Sequence, residues 1–329
     1  MYTLEERKRF IEEHITALYR ERRKLANQIQ KQARSKDASS LPELIDLAMK
    51  ETPDQFPDHA FVACQGIEGS NSQAACEKAF KYPGIMYLKD CGAVFRAIES
   101  GLCEYGVLPI ENSTAGSVNQ IYDQMRAHKF YIVKSIRVRI DHNLLANEGA
   151  TLKGIKEVYS HPQAIGQSGE YLDKMGDIKI NYVSNTAVAA KMVKESGRTD
   201  IAAISSIGCA AIYGLRPLAT DIQDRDDNYT RFIVISKKPE IYPGADKTSI
   251  MAVLPHRPGS LCEMLGRISR EGYDLVKLES RPIIGKDNEF MFYFDLQASC
   301  YDPGFSRMLD DLEDFCEKFE YLGSYREVI

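Results

Sequence analysis

Four times between residues 60 and 200, a short apolar strand runs through a small polar corner straight into a helix. The corners follow Phe61–Cys64 (GIEGSNSQAACEKAF), Tyr105–Pro109 (IENSTAGSVNQIYDQM), Glu157–Tyr159 (SHPQAIGQSGEYL) and Ile180–Val183 (SNTAVAAKMV). Strands alternating with helices in this way point to an α/β fold. Ser70 or Ser72 caps the first helix, and Ser184 or Asn185 the last. Helix starts present free N–H groups and the positive end of the macrodipole. Four such corners, each with Ser, Thr, Asn or Gln, are more than a core requires. Together they can surround a small polyanion with neutral donors.

The stretch Asp221–Ile235, DIQDRDDNYTRFIVI, supplies the complement. Four Asp and one Asn in eight residues mark a loop, and the β-branched and aromatic run after it reads as a strand. The loop delivers Asn228, Thr230 and Arg231 onto the start of a rigid element. Between Ile136 and Leu145 the alternation reads as a strand leaving one lobe. Asp200–Ile204 with Tyr213 onward reads as the return, so a second lobe is expected at about residues 137–212. Two crossings imply a cleft that closes on a ligand. Asn112, Ser113, Gln163 and Thr186 are its candidate neutral donors, with Glu111 the acidic side chain among them. His161 is a general acid by type, but Pro162 restricts its backbone to extended conformations, which suits a positioning role equally. No Ser-His-Asp order or Cys-His pair stands out, which disfavours covalent hydrolysis.

Composition narrows the field. A net charge of −5, without a dense basic cluster beyond the first forty residues, argues against a nucleic-acid partner. The longest apolar run, Ile201–Leu215, is shorter than the roughly 18 to 20 residues that span a bilayer, so no membrane role is expected. Eight cysteines are scattered singly, without CxxC or His at ligand spacing. They read as reduced core residues; no metal or redox cofactor is implied. The charged start MYTLEERKRF is unlike a signal peptide, and a cytoplasmic location is expected.

The ends are distinct units. Residues 4–34 carry apolar positions at helical spacing, and a second helix is expected from about Leu41 to Lys50, the pair forming an arm or dimer contact. TPDQFPD at residues 52–58 is a linker. The last 85 residues read strand (Thr248–Leu254), helix (Gly259–Glu271), strand (Asp274–Arg281), strand (Glu289–Leu296), helix (Phe305–Phe315), strand (Tyr321–Val328). That βαββαβ order is a ferredoxin-like sandwich. Three units follow: residues 1–57, 58–238 and 246–329.

Read together, GIEGSNSQAA, PIENSTAGSV, SHPQA, NTAVAA, NYTRF, PGSL and ESRP resemble, in order, the motifs of prephenate dehydratases with a C-terminal ACT regulatory domain. The resemblance covers residues 60–329. It implies a two-lobed catalytic domain like the type II periplasmic binding proteins, followed by the ACT sandwich. It further implies conversion of prephenate to phenylpyruvate with loss of carbon dioxide and water, inhibited by phenylalanine. By that likeness Thr230 donates to the departing ring oxygen, with Glu111 and Asn112 as catalytic partners. Ser70, Ser72, Ser113, Ser160, Gln163, Thr186, Asn228, Arg231 and Phe232 surround the substrate, Phe232 more as core support. Pro258, Gly259, Ser260 and Leu261, with Glu279, Ser280, Arg281 and Pro282, match the effector motifs. A homodimer or homotetramer is expected because ACT sandwiches expose a face that pairing covers.

The chain departs from the family at Asn71, usually Tyr, at Asn185, usually Ser, and at Ser260, commonly Ala. RERRKLANQIQK resembles the first helix of a fused chorismate mutase, but Glu5 and Ala33 replace its catalytic Arg and Lys, which implies a vestigial or assembly segment. Arogenate dehydratase and a catalytically inactive phenylalanine sensor are the alternative readings. The intact Thr230, Arg231, Asn112 and Gln163 argue against the sensor.

Overall fold

Ser40 accepts a hydrogen bond from the Glu43 amide and so starts helix α1 (Leu41–Glu51), with Pro42 in its first turn. The computed structural model describes Leu18, residues 40–283 and residues 289–329. The long helix expected over residues 4–34 lies outside these, Leu18 apart. The first lobe follows as β1 (His59–Gln65), α2 (Asn71–Ala79), β2 (Tyr82–Leu88), α3 (Cys91–Glu99), β3 (Tyr105–Asn112), β4 (Gly116–Ser117), α4 (Asn119–Met125) and β5 (Tyr131–Arg139). The second lobe comprises β6 (Asn143–Ala146), β7 (Glu157–Ser160), α5 (Pro162–Gly166), α6 (Gly169–Met175), β8 (Lys179–Tyr182), α7 (Thr186–Ser196), β9 (Ile201–Ser205), α8 (Ile207–Tyr213) and β10 (Arg216–Ala219). The chain then returns to the first lobe as β11 (Tyr229–Ser236). The C-terminal unit is β12 (Lys247–Val253), α9 (Ser260–Arg270), β13 (Asp274–Pro282), β14 (Phe290–Gln297), α10 (Phe305–Phe315) and β15 (Lys318–Tyr325), ending in β16 (Glu327–Val328).

Three sheets result. The first runs β16-β5-β11-β3-β1-β2 with β4 beside β3, the second β10-β6-β9-β7-β8, and the third β13-β14-β12-β15. The third is antiparallel throughout, in the order of a ferredoxin-like sandwich. Its period-two alternation serves two cores. Ile250, Ala252, Phe294 and Leu296 turn to helices α9 and α10. Met251, Val253, Met291 and Tyr293 turn the other way, into a core shared with Leu108, Ile110, Ile233 and Ile235 of the first lobe. The C-terminal sheet is therefore packed on both faces, one of them directly on the first lobe.

Three expectations are corrected. The second sheet holds residues 143–219 rather than about 137–212, because β5 stays in the first sheet as far as Arg139 and β10 still pairs with β6. Helix α1 is not part of a free arm: Ile45 and Ala48 are buried with Ile241, Ala245, Leu309 and Leu312 in the core of the C-terminal unit. The last strand is two strands. It ends at Tyr325, and Glu327 and Val328 cross over to pair in parallel with Ser135 and Ile136 of β5. Gly323 lets β15 pass close to β5, since a Cβ there would lie 2.2 Å from the Ile132 carbonyl oxygen. No helix among the described residues is long and apolar enough to cross a membrane.

Candidate active site

The lobes meet where the ends of β3 and β11 face the start of α5. Thr230 and Asn112 are cross-strand partners, as are Arg231 and Glu111. Phe232 then pairs with Pro109, so the register skips Ile110. Pro109 has no N–H for the ladder, and a bulge beside it is the usual accommodation. The extra residue changes which way the strand end faces. Ile110 and Glu111 both turn to the C-terminal unit, and Asn112 turns to the cleft with Thr230.

Asn112 is the centre of the site. It is buried, and its Oδ1 accepts from the amides of Thr114 (3.2 Å) and Ala115 (2.9 Å) and from the Thr114 hydroxyl (2.7 Å). Gln163 Nε2, from the other lobe, donates to the same oxygen at 3.1 Å. Backbone N–H groups can only donate, so the Asn112 amide nitrogen must face the opposite way. There it donates to Asn228 Oδ1 (2.9 Å) and Thr230 Oγ1 (3.0 Å). Thr230 therefore accepts from Asn112, and its own hydrogen is left for another acceptor. Gln167, from lobe two, adds a donor to Thr114 Oγ1 and accepts from Asn228 Nδ2 at 3.1 Å. The groups around the half-buried Thr230 hydroxyl are neutral.

Further contacts close the lobes at the first corner. Ser206 Oγ and Cys209 Sγ approach the Gly69 carbonyl at 3.2 and 3.3 Å, and the Tyr213 hydroxyl donates to the Glu68 carbonyl at 2.6 Å. Gly69 has φ +86°, and a Cβ on it would sit 2.7 Å from Cys209 Sγ.

Not every expected residue bonds directly to the Asn112–Thr230 pair. Ser113 is exposed; it donates to the Asp227 carbonyl and accepts from the Tyr229 amide, bracing the loop that delivers Thr230. Ser70 caps α2, Ser72 is buried in its first turn, and Thr186 follows the Asn185 cap of α7. Among the described residues no hydrogen bond joins these three to Asn112 or Thr230. His161 caps α5 with Nδ1 accepting from the Gln163 amide, and burial lowers its pKa.

Three residues, Ser160, Arg231 and Glu111, are corrected, and Phe232 takes only the core-support role expected of it. Ser160 is fully buried and donates to the Ile204 carbonyl at 2.7 Å, a tie between β7 and β9. Phe232 is core, 1% exposed. Arg231 faces away from the cleft because neighbours on a strand alternate. Its guanidinium pairs with Asp295, donates to the Tyr325 hydroxyl (2.8 Å) and Ser135 Oγ (3.0 Å), and lies 3.4 Å from Glu327. Burial works against that charge, but Tyr325 and Asp295 outweigh it and raise the pKa. Glu111 is likewise turned outward, bound by Lys277 of the C-terminal unit at 2.9 Å. The bulge at Ile110 is the cause.

The effector candidates divide as well. Pro258, Gly259, Ser260 and Leu261 line a cavity of about 600 Å³ with Phe290 and Phe292. Glu279 and Arg281 instead bind the first lobe, through Ser117 and Asp123. Ser280 and Pro282 lie on the same edge strand, β13. Sequence reasoning missed Thr114, Gln167 and His142. Gln167 stands four residues after Gln163, across the short helix α5, and that spacing could have found it.

The chain has these relations to known proteins. A model of the family described as prephenate dehydratase matches residues 62–240. The chain belongs to the prephenate dehydratase family. Arogenate dehydratase 2 of Petunia hybrida is 37% identical over 281 residues, covering 80% of this chain and 71% of that protein. Among solved structures, the prephenate dehydratase of Arthrobacter aurescens in complex with L-Phe matches with a TM-score of 0.74 at 28% identity, over 80% of this chain and 89% of that one. A chain described as GqqA, a novel type of quorum quenching acylase, matches with a TM-score of 0.75 at 30% identity, over 82% and 98%. The two-lobed α/β architecture is that of the prephenate dehydratase family.

Proposed function

We propose that this member of the prephenate dehydratase family acts on prephenate through Thr230. The observation that carries the reading is the Asn112–Thr230 pair: a threonine hydroxyl, oriented as an acceptor by a locked amide, leaves one hydrogen free at the cleft. In the reaction the ring carboxylate leaves as carbon dioxide and its bonding electrons enter the ring. The ring C–O bond breaks, and the departing oxygen takes one proton to leave as water. Thr230 donates a hydrogen bond to that oxygen and relays the proton, since so weak an acid does not store one. Aromatisation supplies the driving force, so positioning by neutral donors suffices. Gln163, with the helix starts at Ser70 and Thr186, is read as receiving the carboxylates.

Arogenate is the second reading, favoured by the arogenate dehydratase from Petunia hybrida among the relatives. The test is phenylpyruvate formation from prephenate beside phenylalanine formation from arogenate, for the wild type, Thr230→Ser and Thr230→Ala. Turnover kept by Ser and reduced about 10²- to 10⁴-fold by Ala supports the assignment; an active Ala variant sinks it.

The C-terminal unit is read as an ACT domain that binds phenylalanine at Pro258–Leu261, in a chain that assembles as a homodimer or homotetramer. The cavity and the L-Phe complex of the Arthrobacter protein support this. Inhibition unchanged by Gly259→Val would remove the site. Residues 1–57 are read as a vestigial or assembly segment without chorismate mutase activity, and turnover of chorismate would overturn that.

A further inference from the structure

We propose that His142, buried at the first crossing between the lobes, is a positioning residue for the reaction, and that its neutral imidazole carries its hydrogen on Nε2. The proposal rests on the dehydratase reading for its kinetic consequence but not for its proton.

His142 sits between β5 and β6, at the first crossing between the lobes, and is 3% exposed. It is also tied to the second crossing. Its backbone amide donates to Gln223 Oε1 at 2.9 Å, and its carbonyl accepts from the Ile222 amide at 2.9 Å. Its ring Nε2 lies 2.9 Å from Gln167 Oε1. The two chain segments that join the lobes thus meet at the backbone of one residue, whose ring reaches Gln167.

The direction of every bond leading from there to Thr230 can be deduced. The amides of Thr114 and Ala115 fix Asn112 Oδ1 as the acceptor and turn the Asn112 nitrogen to Asn228 Oδ1. With its oxygen so occupied, Asn228 presents its nitrogen to Gln167 at 3.1 Å. Only the oxygen of Gln167 can receive it, which turns the Gln167 nitrogen to Thr114 Oγ1. The Thr114 hydroxyl then donates back to Asn112 Oδ1 at 2.7 Å, closing the ring of bonds. In that arrangement Gln167 Oε1 can only accept, so His142 Nε2 must donate. Burial lowers the pKa of His142, which keeps the ring neutral against the opposing pull of Gln167, Asp141 and Asp224. A neutral ring has one N–H, and the geometry assigns it to Nε2.

The consequence is positional. The Nε2 hydrogen holds Gln167 in the orientation that Asn228 and Thr114 need, and those two support the Asn112 amide that sets the Thr230 hydroxyl. Loss of that hydrogen leaves Gln167 free to turn and loosens Asn112 without touching the substrate.

Two measurements test this. In ¹⁵N-histidine-labelled wild type at neutral pH, long-range nitrogen–proton spectra are expected to show His142 with a protonated Nε2 and an unprotonated Nδ1; the reverse tautomer overturns the proposal. In kinetics, His142→Phe is expected to lower kcat about tenfold or more with KM little changed. His142→Gln, whose amide nitrogen occupies the place of Nε2, is expected to recover most of it. A Phe variant with wild-type kcat, or a well-folded Gln variant no better than Phe, overturns the proposal. If the Phe variant does not fold, the Gln variant and the spectrum still decide. Wild-type protein inert towards both prephenate and arogenate would defeat the functional reading instead, and the spectrum would judge the His142 hydrogen separately.

Discussion

Strands β3 and β11 carry two neighbouring residue pairs that face opposite ways and are built from opposite materials. Asn112 and Thr230 face the cleft and are neutral, held by amides and hydroxyls. One residue along, Glu111 and Arg231 face the C-terminal unit and are charged, held by Lys277 and Asp295. The contrast teaches a division of labour. A site that must hold a dianion and release water gains from fixed neutral dipoles, which need not reorganise as charge moves. A seam between two units gains from charges because a buried pair tolerates few alternative partners.

The seam carries the largest expected effect. Asp295→Ala removes the nearest carboxylate from a buried guanidinium, leaving only the more distant Glu327 and Glu111, and is expected to destabilise the protein by about 3–5 kcal/mol. Denaturant unfolding measures this, and kcat of the folded fraction should stay near wild type. The converse change, Asn112→Ala, should lower kcat by about 10²- to 10³-fold, with a smaller loss of stability. If Asn112→Ala lost stability and kept kcat, the division would fail.

Acid offers a graded version. Burial raises the pKa of Glu327, but Lys247, Arg231 and Arg137 outweigh it and hold the carboxyl below its ordinary range. A carboxyl whose folded pKa is depressed contributes stability that is complete above the unfolded value, about 4.3, and is lost as pH falls through the folded one. Thermal unfolding scanned from pH 6 to pH 3 should show Tm falling in that window, and Glu327→Gln should flatten the fall. The smallest effect is expected at Glu111, whose pairing with Lys277 is partly exposed. Glu111→Gln should alter stability by less than about 1 kcal/mol and leave turnover near wild type; a large loss of kcat would return Glu111 to the cleft.

Much of this was legible in the sequence because strand alternation and helix capping are local. The corner at Ser70, the cap at Asn185, the strand beginning at Tyr229 and the βαββαβ order follow from residues a few positions apart. What was misread depended on distant partners. Arg231 adjoins Thr230 in sequence, and only Asp295, sixty-four positions on, shows which way it turns. Glu111 was misplaced because one skipped residue beside Pro109 reverses the alternation. Ser160 has the composition of a ligand and the geometry of a strand tie. His142 carried no local signal, since its meaning lies in Gln167 and Gln223.

The hydrogen bonds that already bridge the lobes set a condition on timing. Gln163 to Asn112, Gln167 to Thr114, Ser206 to Gly69 and Tyr213 to Glu68 tie one lobe directly to the other. A guest therefore enters by exchange, its oxygens replacing acceptors the protein now supplies to itself. The observed rate of capture should level off as concentration rises, at the frequency with which those bridges open, because diffusion alone cannot carry a molecule through a closed door.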